Sequence, residues 1–452
     1  MATDKLNGDR TATYLTLPRS GGIMTALYNA LWYPALPFAL IAGGGRDAVN
    51  RRERLGNTTL ASDASGSPRI WLHAASVGEV EAVRPIALGL LRIYPAAMIV
   101  ITTMTATGRA AARERIKGAT AFQLAPMDCP RNVRSFLAAV RPQIVLVAET
   151  ELWPNFLIEG ARSGARVAIV NGRVSARSTN RYRYIRPLIE EALAHTHLVL
   201  VQTEEDARRF RYLGAPTAKV VVTGNTKFDL EEAAPPLRSA IEDFCAHRPV
   251  LVAGSTAPGE ERMVLIAYRN LVERFPTLAL ILAPRHLSRA DEIEGDLRHS
   301  ALPFERASQL PIDTANNTPD LAPIKKEEVA ILLLDTMGEL RSVYALAAVA
   351  FVGGSITSAR GGQNMAEAAA AGVPVLFGPH YKNQQQAGDA IIEAGGGRVV
   401  EDAAQIESTC AEWLTDNDSR RRAGANARRA VERLAGGVAA TLNHLTDLIG
   451  KR

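Results

Sequence analysis

The amino-acid sequence predicts an α/β protein made of two Rossmann-like halves. Short, nearly continuous runs of Val, Ile and Leu alternate with helical patterns, the signature of parallel strands covered on both faces. That rhythm stops near residues 231–248, where Pro235-Pro236 marks a break, and then restarts. At 452 residues the chain is also too long for one ordinary core.

In the first half the apolar runs are RIWLHAA from Arg69, AMIVITT from Ala97, PQIVLVAE from Pro142, RVAIVNG from Arg166, HLVLVQT from His197 and KVVVTGN from Lys219. The second half holds VLVAGST from Val250, LALILAPR from Leu278, VAILLLDT from Val329, VAFVGGS from Val349 and VPVLFGP from Val373. This divides the chain into a tail (1–22), an apolar segment (23–45), a first Rossmann-like domain (46–232), a linker (233–248), a second Rossmann-like domain (249–425) and a C-terminal helix (426–452). Segment 23–45 carries no formal charge and has about the length that crosses a bilayer core. Arg46, Arg51, Arg52 and Arg54 follow it, which favours a cytoplasmic C-terminal flank. Pro34 and Pro37 weaken a spanning reading, so the segment is expected to be a membrane anchor or an interfacial helix.

Composition excludes several classes. Hydrophobic residues make up 47% and charged residues 22%, ordinary for a globular protein. The net charge of +5 suits an anionic partner, but no nucleic-acid reader motif accompanies it. Cys129, Cys245 and Cys410 lie far apart, and there is no H-E-x-x-H, C-x-x-C or P-loop pattern, so zinc and P-loop chemistry have no support.

In an open α/β sheet, ligands bind at the carboxyl ends of the strands, so residues just after each apolar run are the candidates for chemistry. After RIWLHAA, the stretch SVGEVE sets Glu79 and Glu81 at the start of a helix. The free N–H groups and macrodipole there favour negative charge, which is expected to keep Glu79 ionised, as a base must be. VAETELWPNF ends an apolar strand with Glu149 and Glu151, costly unless paired or functional, and GNTKFD places Lys227 beyond the last strand of this half. In the second half, Gly353-Gly354-Ser355 and Ser255 form a candidate loop for a donor phosphate. Arg285 follows a strand, Gly338 and Glu339 precede a helix, and Asn364 opens another in which Glu367 could accept hydrogen bonds from ribose hydroxyls. The Arg-rich run from Arg173 to Arg186, interleaved with Tyr182 and Tyr184, is either a solvated helical face or a phosphate-recognising surface.

Taken in order, RERLG, HAASVGEV, ITTMTATG, ETELWPN, NGRVSARS, GNTKFD, AGSTAPGEE, PRH, DTMGEL and GGQNMAEAAAAGVPVLFGP resemble the 3-deoxy-D-manno-octulosonic acid (Kdo) transferases of lipopolysaccharide biosynthesis. The resemblance implies a GT-B glycosyltransferase with an N-terminal domain for the lipid acceptor and a C-terminal domain for CMP-Kdo. By it, Glu79 is the general base, and Glu149 and Lys227 stabilise the transition state. Pro284 and Arg285, Met337, Gly338 and Glu339, and Asn364, Met365, Ala366 and Glu367 would contact CMP. The implied acceptor is a lipid A precursor at the cytoplasmic face of the inner membrane, and the implied inverting chemistry needs neither a cofactor nor a divalent metal. Gln363 stands where the family commonly has His, and the 307–330 connection is longer than usual, an expected exposed loop. Two other readings share these features: another GT-B nucleotide-sugar enzyme, such as a UDP-sugar transferase or epimerase, and a non-catalytic nucleotide-sugar-binding membrane protein.

Overall fold

The computed structural model describes residues 20–42, 47–58, 60, 65–229, 236–300, 302–311, 329–357 and 361–450. Most of the tail (1–19), the end of the apolar segment, part of the linker and residues 312–328 of the long connection lie outside the described residues. The chain forms two compact units, one of residues 1–229 with 436–452, the other of residues 230–435.

The first unit holds a seven-stranded, all-parallel sheet: β1 (Arg69–His73), β2 (Met98–Thr103), β3 (Ala121–Leu124), β4 (Ile144–Ala148), β5 (Arg166–Gly172), β6 (Leu198–Val201) and β7 (Val220–Val222). Its order is β3-β2-β1-β4-β5-β6-β7, so the chain reverses direction across the sheet between β1 and β4. Alternation along each strand builds two cores. Ile70 and Leu72, Ile99 and Ile101, and Ile144 and Leu146 face one side, while Trp71, Val100, Val145 and Val147 face the other. The sequence reading missed β3, whose AFQL core is short and interrupted by Gln123, a side chain tied by hydrogen bonds to Thr58 and to the Asn57 carbonyl.

The second unit repeats the plan with β8 (Val250–Thr256), β9 (Ala279–Pro284), β10 (Phe304–Arg306), β11 (Ile331–Leu333), β12 (Val349–Val352), β13 (Val375–Phe377) and β14 (Gly397–Val399). The order β10-β11-β9-β8-β12-β13-β14 again places a reversal at the first strand, between β8 and β12. Edge strands β10 and β14, FER and GRV, carry charged residues and a glycine in place of the apolar run that would announce them.

Two expected boundaries shift. The 233–248 linker contains a helix, Ser239–Cys245, whose Ile241 and Phe244 are fully buried. Instead of one helix over 426–452 there are parts of two, Asn417–Glu432 and Gly437–Gly450, in different units. The last helix packs against the Val77–Ile93 helix, where Gly89 leaves room for Leu442: a β-carbon there would lie 2.4 Å from Leu442 Cδ1. Asp229 holds the start of this helix, its carboxylate accepting from the N–H groups of Gly436 (2.5 Å) and Val438 (2.8 Å).

The apolar N-terminal segment forms one helix, Ser20–Ala42, with Pro34 and Pro37 inside it. Among the described residues no helix, this one included, is long and apolar enough to cross a membrane. Instead it packs on the Arg186–Ala194 helix and is pinned to the unit by polar groups. Tyr28 donates to Asp128 Oδ2 at 2.8 Å, and Asn155 donates to Asn29 Oδ1 at 2.9 Å. Asp128 also accepts from the N–H groups of Asn155 and Phe156, capping the Pro154–Arg162 helix, whose own first residues supply no side-chain cap. Burial pushes the Asp128 carboxyl up to about 7. RERLG is likewise structural. Glu53 accepts from Arg109 (2.7 Å) and from the Leu124 N–H (2.8 Å), and Arg54, 2% exposed, donates to the Ala125 carbonyl.

Replacing Asp128 by Ala strips a buried acceptor from three donors and should destabilise the first unit by about 2–4 kcal/mol. Urea unfolding of the full chain measures this, with Tyr28→Phe as the milder comparison at about 1 kcal/mol.

Candidate active site

The reversal point of the first sheet collects the acids. Glu79 lies on the first turn of the Val77–Ile93 helix that follows β1. Ser76 caps that helix, and the Glu79 carboxylate folds back to accept from the Ala75 N–H at 2.8 Å. On the neighbouring strand, Glu149 follows β4 in a left-handed conformation, φ 47°, sparsely populated for any residue with a Cβ and a local strain at the strand end. Its N–H still donates to the Val170 carbonyl, so the sheet ladder runs to the kink.

Lys227 reaches this point from the far edge of the sheet. The Thr226–Phe228 turn is fixed to the Glu79 helix by a bond from the Thr226 hydroxyl to the Ala82 carbonyl (2.6 Å), and to β5 by the Thr226 N–H on Asn171 Oδ1 (3.1 Å). Lys227 Nζ then pairs with Glu149 Oε1 at 2.8 Å. The structure thus brings Glu149 and Lys227 into contact and sets Glu79 within electrostatic reach of Glu149.

The protonation of Glu79 differs from the sequence expectation. Burial, then the charge of Glu151, and more weakly that of Glu149, push its carboxyl up to about 8, against the opposing Ala75 and Ser76 hydrogen bonds. Helix-terminal stabilisation is the weaker effect here, because desolvation and two like charges act on the same group. The acid is poised near neutrality rather than held ionised, the range in which a general base works best. Glu81 behaves as an ordinary surface charge, paired with Arg115 and Arg84.

The second reversal point carries the opposite chemistry. The N–H groups of Gly354, Ser355 and Ile356 converge after β12 as an anion-binding cradle would, but the carboxylate of Glu260 fills it at 2.7–2.9 Å and also caps Ala257 N. Glu260 is fully buried, and Gly353 has no space for a β-carbon, which would lie 2.5 Å from Glu260 Oε2. Ser355 is buried as well, its hydroxyl donating to the Val352 carbonyl and accepting from Gly378 N. The expected donor-phosphate loop of Gly353, Gly354 and Ser355 is therefore already neutralised by the chain itself. Ser255, at φ 53° before the helix that bears Glu260, packs its carbonyl against Gly353, where a β-carbon would lie 2.8 Å from that oxygen.

The remaining sequence candidates fall into two groups. Met337 (76% exposed) and Arg285 stand free at the surface, next to Gly338 at φ 91° and the buried Pro284 respectively. Glu339 is 9% exposed and held by a two-pronged bond from Arg238, at 2.6 and 2.8 Å, so its carboxylate orders the linker helix's entry. Asn364 braces Glu367 at 3.0 Å and caps Ala366 N, whereas Met365 and Ala366 are fully buried and can offer only backbone. Sequence reading missed Glu260, Arg238 and Asn171 as architects of these sites. A first-turn acid such as Glu260 looks like an ordinary helix-terminal charge until the glycine loop is seen to wrap it. Among the described residues, no group of three or more His, Cys, Asp or Glu could hold a metal ion.

Two parallel seven-stranded sheets of this kind define a GT-B-like glycosyltransferase fold. A glycosyltransferase from Rickettsia africae shares it with a TM-score of 0.55, covering 85% of this chain and 98% of that one at 12% identity, a likeness of fold alone. Residues 50–230 match the family described as 3-Deoxy-D-manno-octulosonic-acid transferase (kdotransferase). The 3-deoxy-D-manno-octulosonic acid transferase of Bordetella pertussis is 35% identical over 424 residues, covering 90% of this chain and 94% of that one. The enzyme of the same name from Haemophilus influenzae is 33% identical over 359 residues, covering 78% and 81%. The chain belongs to the Kdo transferase family, and so to the glycosyltransferases.

Glu260→Gln should destabilise the second unit by about 2–3 kcal/mol, because an amide nitrogen would face backbone N–H donors. Thermal unfolding reads this directly; an unchanged midpoint would mean that the cradle does not depend on the Glu260 carboxylate.

Proposed function

We propose that the protein transfers Kdo from CMP-Kdo to a hydroxyl of a lipid A precursor, an acylated glucosamine disaccharide phosphate, with inversion and without a metal. The observation that carries this reading is the Glu79, Glu149 and Lys227 cluster at the β1–β4 reversal point of a Kdo transferase family member. Glu79 takes the proton of the acceptor hydroxyl as its oxygen bonds to the anomeric carbon of Kdo. The bond from that carbon to the phosphate oxygen breaks, and CMP leaves with the electron pair. Lys227, fixed by Glu149, supplies a positive charge where negative charge builds up. On the donor side, Pro284, Arg285, Met337, Gly338, Glu339, Asn364, Met365, Ala366 and Glu367 are assigned to CMP, with Met365 and Ala366 acting through their backbone.

The same reading puts the enzyme on the cytoplasmic face of the inner membrane. The Ser20–Ala42 helix turns Thr25 and Tyr28 inward and exposes Ile23, Leu27, Leu31, Phe38 and Ile41, an apolar stripe suited to lie in a lipid interface. In vesicle flotation, Leu27→Glu with Leu31→Glu should reduce binding of the full chain to anionic liposomes severalfold.

For the reaction, Glu79→Gln should lower kcat by roughly 10²- to 10⁴-fold with CMP-Kdo and the lipid acceptor. The active form of Glu79 is the deprotonated one, so kcat/KM should rise with pH through a midpoint of about 8 and fall tenfold per unit on the acid side. Transfer by the Glu79→Gln enzyme at the native rate would overturn the assignment.

A further inference from the structure

The arginine-rich segment after β5 is left unused by the mechanism above. Between residues 171 and 189 there are five arginines and no acid. Two of the five are engaged nearby. Arg183 donates to the Tyr184 hydroxyl at 2.8 Å and lies over that ring, and Arg186 lies over the Tyr212 ring and 4.0 Å from Glu190. Arg173, Arg177 and Arg181 are exposed, and none of these three guanidiniums has a hydrogen bond or a carboxylate partner among the described residues. Arg177 and Arg181 lie one turn apart on the Ala176–Tyr182 helix, so like charges share one face and repel. Elsewhere the chain matches exposed arginines with acids at this spacing, Arg298 with Glu294 and Arg428 with Glu432.

The segment is fastened to the turn that carries Glu149. Thr150, the next residue, donates its hydroxyl to the Arg173 carbonyl, and its own carbonyl accepts from the Tyr182 hydroxyl at 3.3 Å. The stretch from Arg173 to Tyr182 therefore closes on one residue at both ends, with Arg177 and Arg181 between them. Val174 is fixed as well, its N–H donating to Asp206 Oδ1 at 2.9 Å and its carbonyl accepting from Arg209 at 2.8 Å. The cations are thus anchored beyond the carboxyl end of β5, beside the end of the neighbouring β4 where Glu149 meets Lys227. Holding unpaired guanidiniums together costs repulsion that a bound dianion removes. A phosphate monoester, with its charge spread over three acceptor oxygens, matches their forked donors.

We propose that Arg177 and Arg181, supported by the charge of Arg173, bind a phosphate monoester of the acceptor and so hold its sugar with a hydroxyl towards Glu79. The proposal rests on the reading of the acceptor as an acylated glucosamine disaccharide phosphate. The arginines bind and orient; bond making and proton transfer stay with the residues already assigned.

The test uses the full chain in detergent micelles, with the phosphorylated lipid acceptor and the same lipid after its phosphates are removed. Arg177→Gln with Arg181→Gln should raise KM for the phosphorylated acceptor by about 10- to 100-fold and leave kcat within about twofold. Dephosphorylating the acceptor should cost the native enzyme a similar factor, and should cost the double variant nothing more. Arg177→Lys with Arg181→Lys keeps the charge without the fork and should recover part of the affinity. An equal loss on both acceptors, or no loss on either, overturns the proposal. So does a double variant that keeps its acceptor KM in micelles but no longer floats with anionic vesicles, which would assign the arginines to bilayer headgroups. If the native chain transfers no Kdo, the acceptor reading fails; direct titration of native and variant chains with the two lipids still decides whether these arginines take a phosphate.

Discussion

A parallel sheet buried on both faces can hold polar chemistry only where its strands end, and every functional feature of this chain follows from that constraint. The strands of both units spend their side chains on two apolar cores. The carboxylates and amides of the two reversal points therefore sit beyond β1, β4, β8 and β12, and Lys227 beyond β7. The reversal of strand order then sets which loops become neighbours. Glu79 and Glu149 are 70 positions apart in sequence, yet they follow adjacent strands. Lys227 needs an added device, because β7 is at the sheet edge; Thr226 and Asn171 supply it.

The two reversal points resolve their electrostatics differently. At the second, Glu260 neutralises converging amides, and each polar partner is matched by another. At the first, three carboxylates share a site with one lysine, Glu149 sits at a positive φ, and a buried imidazole nitrogen, Nε2 of His73, lacks a hydrogen bond. Such mismatches cost stability and persist where surrounding structure enforces them, typically at sites that do chemistry. The Val77–Ile93 helix is enforced in this way from several sides, by the C-terminal helix, by the Thr226 bond and by the sheet beneath it.

Much of this was legible in the sequence, for identifiable reasons. The apolar runs declared both sheets, while β3, β10 and β14 escaped because AFQL, FER and GRV are interrupted by polar, charged or glycine residues. Glu79 and Glu149 could be picked out as residues beyond strand ends, and Lys227 through the family resemblance. The protonation of Glu79 could not, since it depends on burial and on Glu151, neither of which follows from a helix start. The glycine loop after β12 was legible as an amide cradle but not as an occupied one. Its occupant lies 94 residues earlier, and long-range pairing of that kind leaves no local signal.

The occupied cradle also limits where the second unit could take an anion. With the Gly354, Ser355 and Ile356 amides committed to a buried carboxylate, an incoming phosphate there would meet the negative charge of Glu260 before any free N–H. Displacing Glu260 would strand a buried acid, a cost of several kcal/mol that a single phosphate contact does not return. An anion has better prospects at groups that need not be displaced: the exposed Arg285 beyond β9, and the Asn364 side chain braced on Glu367. Glycine content at a strand end thus marks close packing in this unit, and the residues able to face a ligand are the charged and amide side chains around it.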